Sequence, residues 1–174
     1  MIHIASLPRT DGQLTMQPVP RTVDDEMPER LDTVLVIEDD ATMRLALACM
    51  VADPHRQIVL ARSAEDALAR LPLVDPDLIL CDFLLEGMNG REFCQQMKSV
   101  PRWRYVPIIM VTRMDLEPII TDLLRSGADD VLVKPVRAEE LRARVACGLR
   151  TRARYLELGH AVRERRTSTI SAIA

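Results

Sequence analysis

Five short apolar runs alternate with five segments of helical spacing along most of this chain, and this alternation constrains its fold more than any other feature. The runs are TVLVI (33–37), QIVLA (57–61), DLILC (77–81), VPIIMV (106–111) and DVLV (130–133). Their near-continuous apolar character predicts strands that are buried on both faces, as in a parallel sheet. Helices that cross over between such strands produce an open, doubly wound α/β sandwich.

The predicted helices have recognisable starts and stops. The hydroxyl of Ser63 can accept a hydrogen bond from the backbone of Asp66, and Asp40 is a candidate cap in the same way. Glycine at 127 is expected to end the fourth helix. The predicted helical segments are Ala41–Ala52, the segment that follows Ser63, Gly90–Ser99, Leu116–Ser126 with Pro118 in its first turn, and a last helix from Ala138.

The length of 174 residues allows one ordinary domain, expected at 32–150, with additional segments at both ends. Residues 1–31 contain four of the eleven prolines and are expected to form a flexible leader. Residues 151–174 are expected to extend the last helix to about Arg166 and then to fray from Thr167. The charge divides in the same way, with a net of −8 over residues 1–136 and +5 over residues 137–166.

Cysteine usage and hydropathy favour a cytoplasmic protein. The four cysteines form no CxxC pair and have no spacing typical of metal ligands, so they are expected to stay reduced. No apolar run approaches the ~20 residues of a membrane span, and the N-terminus lacks the pattern of a secretion signal.

Polar side chains follow four of the predicted strands, and in a wound sheet they would meet at the carboxyl edge, where ligands bind. Crowded carboxylates repel one another, so positive charge is needed to compensate. Lysine 134 supplies one charge, and a hard divalent ion with oxygen ligands, Mg²⁺, would supply two more. The strand-end residues are Glu38, Asp39 and Asp40 after the first strand, Asp82 after the third, Thr112 after the fourth and Lys134 after the fifth.

This set predicts phosphoryl chemistry on Asp82. A carboxylate beside Mg²⁺ and an ammonium can act as a nucleophile toward a phosphoryl group and form an acyl phosphate. The hydroxyl of Thr112 and the ammonium of Lys134 would neutralise charge on the transferring group. Each residue also has an ordinary alternative, such as a helix cap, a loop-start aspartate or a surface lysine. The coincidence of all of them at strand ends favours the chemical interpretation.

Four motifs in this order carry a resemblance to a known family: VLVIEDDATMRLAL, DLILCDFLLEGMNG, PIIMVT and ADDVLVKPV. From about Asp32 to Arg150 the chain resembles the receiver domain of bacterial two-component response regulators. The resemblance implies a flavodoxin-like (βα)5 fold with strand order 2-1-3-4-5 and a cis bond before Pro135. It further implies a metal-binding acidic pair at Glu38 and Asp39, a phosphoacceptor at Asp82, a metal-binding carbonyl at Leu84, a switch hydroxyl at Thr112 and a conserved-role lysine at Lys134.

The resemblance also implies partners and a mode of action. A sensor histidine kinase or a histidine phosphotransfer protein would donate the phosphoryl group. The chain would act as a switch rather than as an enzyme, through its fourth helix, fifth strand and fifth helix. Three positions depart from the family pattern and leave the readout open: Val131 replaces an aromatic residue, Arg113 a small one, and Glu86 a frequent proline.

Two other functions stay open at this point. A receiver-like scaffold that is not regulated by phosphorylation would fit the departures at Val131 and Arg113. An aspartate-nucleophile phosphatase usually has a second aspartate two residues after the nucleophile, and that position is Leu84.

The arginine-rich C-terminal arm allows several interpretations. A solvated helical face is the simplest, for Arg142, Arg144, Arg150, Arg152 and Arg154. A short apolar stripe at Leu149, Ala153 and Leu156 indicates pairing with a partner or a second copy. DNA binding is not expected, because no helix-turn-helix follows.

Overall fold

The computed structural model describes residues 30–113 and 120–171, and it confirms the doubly wound fold. Most of the expected leader, 1–31, lies outside these residues. Five parallel strands form one sheet in the order β2-β1-β3-β4-β5. The elements are β1 (Asp32–Ile37), α1 (Ala41–Val51), β2 (Arg56–Ala61), α2 (Ala64–Val74), β3 (Leu78–Asp82), α3 (Gly90–Ser99), β4 (Ile108–Arg113), α4 (Ile120–Arg125), β5 (Asp130–Lys134) and α5 (Ala138–Ser171).

Apolar side chains cover both faces of the sheet, as the continuous apolar strands predict. Alternate residues of a strand point to opposite faces, so Leu35 and Ile37 join one core cluster while Val34 and Val36 join the other. Helices α2, α3 and α4 pack on the first face, and α1 and α5 pack on the second. These two helical layers cover the faces of the sheet, so its carboxyl edge is available for the candidate site.

The predicted helix caps are present. The side chain of Asp40 accepts from the backbone N–H of Met43 at 2.7 Å, and that of Ser63 accepts from Asp66 at 3.1 Å. Gly127, which follows α4, has a φ of +106°, a conformation that favours glycine. The predicted start of this helix, including Pro118, lies outside the described residues.

Strand boundaries differ from the prediction by one or two residues. β3 begins at Leu78 rather than at Asp77, whose carboxylate accepts the backbone N–H of Thr33 at 2.9 Å and binds Arg30 through both oxygens. At the other end, β3, β4 and β5 extend far enough to include Asp82, Thr112 and Lys134. These three candidate residues therefore lie on the sheet itself, whereas Glu38 and Asp39 follow β1.

The last helix is continuous from Ala138 to Ser171, so it extends beyond the predicted end at about Arg166, and the fraying from Thr167 stays a prediction. Once a helix is nucleated, each added residue costs little, and no proline interrupts this stretch. The helix crosses position 150, where the sequence predicts the end of the domain, without a break.

The interpretation of the arginine arm as a solvated face is wrong for Arg152, which is buried. Arg144 and Arg142 are exposed, although Arg144 binds both oxygens of Asp130 and Arg142 donates to the backbone oxygen of Met50 at 2.8 Å. The predicted pairing stripe is also incomplete, because Leu149 is buried in the core of the domain. The first half of α5 packs against one face of the sheet. This packing buries Leu149 and Arg152, which the sequence pattern assigns to a partner and to solvent.

Candidate phosphoryl-acceptor and metal site

The strand order brings the predicted residues to one edge of the sheet. Glu38 and Asp39 directly follow β1, Asp82 ends β3, and these two strands are neighbours. Lys134 ends β5, and Thr112 lies opposite Val133 in the register of β4 with β5. The sequence prediction of a shared location is therefore confirmed for the backbone positions.

Lys134 joins two of the carboxylates. Its Nζ donates to Glu38 Oε2 at 2.9 Å and to Asp82 Oδ2 at 3.0 Å. Both acceptors are nearly inaccessible, with Glu38 at 2% and Asp82 at 5% relative exposure. One ammonium is thus shared between two buried carboxylates, which leaves the cluster short of positive charge.

The pKa values of Glu38 and Lys134 are both raised in this cluster. Burial, aided by the charge of Asp82 and opposed by the hydrogen bond from Lys134, raises the pKa of Glu38 from 4.5 to about 7. Burial lowers the pKa of Lys134, but the hydrogen bonds and charges of Glu38 and Asp82 outweigh it and raise that pKa overall. The lysine is therefore held as a cation.

The same carboxylates fit a divalent cation. Glu38, Asp39 and Asp82 each offer an oxygen, and the three oxygens lie within 4.8 Å of one another. An all-oxygen donor set suits a hard ion such as Mg²⁺, which keeps several waters and needs few protein ligands. Asp39 is exposed, so this side of the cluster is open to solvent. Leu84 lies in the loop directly after Asp82, where the resemblance expects a metal-binding carbonyl.

Thr112 contributes a hydroxyl that lacks a partner. The residue is fully buried, and among the described residues its Oγ1 has no hydrogen-bond partner. A buried hydroxyl without a partner costs free energy, on the order of 1–3 kcal/mol. It lies on the strand between those that carry Asp82 and Lys134, so an acceptor arriving at this edge could satisfy it.

Three supporting residues escaped the sequence prediction. Arg44 donates from Nη1 to the backbone oxygens of Glu38 at 2.6 Å and Asp39 at 3.2 Å, which fixes the acidic pair from behind. Glu65 Oε1 accepts the backbone N–H of Met88 at 2.9 Å and holds the loop after β3. The only sequence signal for Arg44 is its place one helical turn after Asp40.

Gly90 is the third supporting residue, and it permits a close approach of two backbones. A Cβ at this position would lie 2.4 Å from the backbone oxygen of Asp82 and 3.0 Å from Cα of Phe83. Helix α3 therefore begins directly against the end of β3. The sequence places Gly90 at the helix start but gives no sign of this contact.

The three departures from the family pattern have distinct locations. Val131 is partly buried and packs against the first core cluster, so it occupies interior space. Arg113 is exposed at the end of β4. Glu86 borders an open surface pocket together with Asp39 and Asp40, so it adds negative charge at the mouth of the site.

Fold and site together define a class of protein: a doubly wound, five-stranded α/β domain with an acidic cluster and one lysine at its carboxyl edge. The family model of the response regulator receiver domain matches residues 34–146. The chain belongs to the response regulator receiver domain family of two-component signalling.

Individual relatives agree with this assignment. The transcriptional regulatory protein AfsQ1 of Streptomyces coelicolor is 36% identical over 120 residues, which cover 69% of this chain and 52% of that protein. The cyclic di-GMP phosphodiesterase response regulator RpfG of Xanthomonas campestris is 31% identical over 157 residues, 81% of this chain and 42% of RpfG. The solved receiver domain of a signal transduction histidine kinase from Syntrophus aciditrophicus superposes with a TM-score of 0.63 at 30% identity, covering 68% of this chain and 89% of that one.

The match is limited to part of each full-length relative. The chain spans about half the length of AfsQ1 and less than half that of RpfG. Over the part of the chain that the structure describes, no helix is both long and apolar enough to cross a membrane.

Proposed function

We propose that this chain is a phosphorylation-controlled switch that accepts a phosphoryl group on Asp82. The observation that carries the proposal is the shared lysine: one ammonium within 3.0 Å of both a buried candidate nucleophile and a candidate metal ligand. The donor would be a sensor histidine kinase or a histidine phosphotransfer protein in the cytoplasm. Apart from its own phosphorylation and dephosphorylation, the chain would catalyse no reaction.

The chemistry assigns a role to each residue. A carboxylate oxygen of Asp82 attacks phosphorus, an O–P bond forms, and the N–P bond of the donor phosphohistidine breaks as its imidazole leaves with the electron pair. Lys134 exchanges a carboxylate contact for a phosphoryl oxygen, and the hydroxyl of Thr112 donates to another. Bound Mg²⁺, held by Glu38, Asp39, Asp82 and the carbonyl of Leu84, would neutralise charge on the phosphoryl oxygens.

The readout would use the surface formed by α4, β5 and α5. Engagement of Thr112 and Lys134 would favour one of two arrangements of this surface, and α5 would transmit the change to an output partner or to a second copy through the C-terminal helices. Within this scheme 32–150 serves as the receiver domain and 151–174 as its helical extension. We do not propose a DNA contact.

A receiver-like scaffold without phosphorylation is the second candidate, and the packing of the partly buried Val131 against the first core cluster favours it. A mobile aromatic residue is a usual part of the two-residue switch, and this chain has a packed valine instead. The phosphatase has weaker support, because Leu84, at 42% exposure, supplies no acid to a leaving group.

Incubation with Mg²⁺ and acetyl phosphate, followed by intact mass measurement, distinguishes these functions. The switch predicts a gain of one phosphoryl group that hydroxylamine removes and that EDTA prevents. Asp82→Asn should abolish the gain, whereas Asp122→Asn, a change of the same type on α4, should leave it intact. Wild-type protein that gains no mass, or an Asp82→Asn variant that still gains it, would overturn the proposal. Pull-down with and without beryllium fluoride then identifies the output partner.

A further inference from the structure

An open pocket of about 340 Å³ lies on the opposite edge of the sheet from α4, between α1, β2 and α2. Its lining consists of Arg44, Leu60, Arg62, Asp66 and Arg70. Arg44 of α1, Arg62 of the turn after β2 and Arg70 of α2 thus converge on one concave surface. We call this surface the arginine pocket.

The charge of the arginine pocket is only partly compensated. Asp66 is the one acid in the lining, and its Oδ1 accepts from Arg70 Nε at 2.8 Å. The hydrogen bond from Arg70, with a further one from the backbone N–H of Arg62, lowers the pKa of Asp66 despite some burial, so this carboxylate stays ionised. Three guanidinium groups against one carboxylate leave a net charge of +2.

We propose that the arginine pocket binds a small phosphate-bearing anion, a class of ligand unrelated to the phosphoryl group on Asp82. A phosphate monoester carries close to two negative charges at neutral pH, which matches the uncompensated charge. The planar guanidinium fork binds phosphate oxygens in pairs and gives stronger hydrogen bonds than neutral donors do. Leu60 is the single apolar residue of the lining, so the pocket recognises the charged group rather than a large apolar body.

Arg44 connects the arginine pocket with the acidic site. Its Nη1 donates to the backbone oxygens of Glu38 and Asp39, while the residue also lines the pocket. An anion that binds Arg44 holds this arginine in place and adds negative charge near the acidic pair. We therefore expect the anion and Mg²⁺ to strengthen each other's binding, by the same factor in both directions.

Titration with adenosine monophosphate tests the site in metal-free protein, so the outcome does not depend on phosphorylation of Asp82. Backbone amide shifts in ¹⁵N-labelled protein at about 0.1 M salt report both affinity and location. We expect a dissociation constant below about 1 mM, with shifts concentrated in α1, β2 and α2. Ribose 5-phosphate should bind similarly and adenosine should not, since the phosphate is the group recognised. Binding of adenosine monophosphate without binding of ribose 5-phosphate would contradict recognition through the phosphate.

A charge-matched pair of variants separates a formed pocket from general positive charge. Arg62→Ala with Arg70→Ala should weaken binding at least tenfold, whereas Arg150→Ala with Arg154→Ala, on the exposed side of α5, should leave it unchanged. Arg62→Ala alone removes no ion pair with another described residue and serves if the double variant unfolds. Equal loss in both double variants, shifts centred outside α1 and the segment from β2 to α2, or no binding by 10 mM would overturn the proposal.

Discussion

The buried carboxylate of Glu38 should make the metal-free protein less stable than it could be, so Glu38→Gln is expected to stabilise it at pH 8. Glu38 is 2% exposed and shares the ammonium of Lys134 with Asp82. Burial is the main reason that its pKa lies at about 7 rather than 4.5. Glutamine keeps a carbonyl oxygen for Lys134 and removes the charge.

The sign follows from proton linkage. Between pH 4.5 and 7 the folded protein holds a proton on Glu38 that the unfolded chain has lost, so the free energy of unfolding falls as pH rises and levels off above 7. The shift corresponds to at most about 3 kcal/mol. Burying the amide of glutamine also costs free energy, which offsets part of this difference. We therefore expect the free energy of unfolding to rise by roughly 1–2 kcal/mol at pH 8 and to change little at pH 4.5 or below.

Urea unfolding in EDTA at both pH values measures this difference. Glu157→Gln, an exposed site on α5, should change stability by less than about 0.5 kcal/mol at either pH. Saturating Mg²⁺ should stabilise the wild type more than Glu38→Gln, because the variant lacks a ligand. A variant that is no more stable than wild type at pH 8 in EDTA, or equally stabilised at both pH values, would refute the reasoning.

Three further experiments test the packing around the site and the arm. Thr112→Val removes a buried hydroxyl without a partner, so urea unfolding of unphosphorylated protein should show no loss and a gain of up to about 1 kcal/mol; a loss above about 1 kcal/mol would contradict this. Gly90→Ala would place a Cβ 2.4 Å from the backbone oxygen that ends β3 and should cost about 2 kcal/mol or more, whereas Gly159→Ala, with open space around it, should stabilise α5 by about 0.5–1 kcal/mol. The rings of Tyr105 and Tyr155 stack at 3.8 Å between centroids, so a double-mutant cycle with alanine should give a coupling of about 0.5–1.5 kcal/mol, and zero coupling would mean that the stack does not form in solution.

The sequence predicts the sheet and the candidate site for the same physical reason. Strands buried on both faces must be apolar, so a polar residue at the end of such a run is visible against its background, as Asp82 is after LILC. Parallel strands then bring these ends to one edge without any knowledge of side-chain contacts. This is why Glu38, Asp39, Thr112 and Lys134 could be placed together from their positions alone.

The supporting contacts could not be predicted, because they depend on distances between elements. Arg44 and Glu65 lie on helix surfaces where charged residues are ordinary, and even the position of Arg44 one turn after Asp40 does not identify the backbone groups that it binds. The arm misled the prediction in a related way. An arginine has a long apolar stem, so Arg152 can be buried beneath the domain while its sequence pattern resembles that of a solvated face.

A short stretch of backbone connects the candidate site to α5. A signal carried along this backbone would not need the moving aromatic ring of the usual two-residue switch. Lys134 ends β5 and α5 begins at Ala138, so only three residues separate Lys134 from the helix. One of the three, Val136, packs against the core cluster that also holds Leu141 and Leu149. If Lys134 exchanges Glu38 for a phosphoryl oxygen, we infer that the displacement reaches the start of a 34-residue helix whose first half is anchored in the core. A small rotation at such an anchored end would become a larger displacement along the rest of the helix, and Val131 would then keep its packing against the first core cluster.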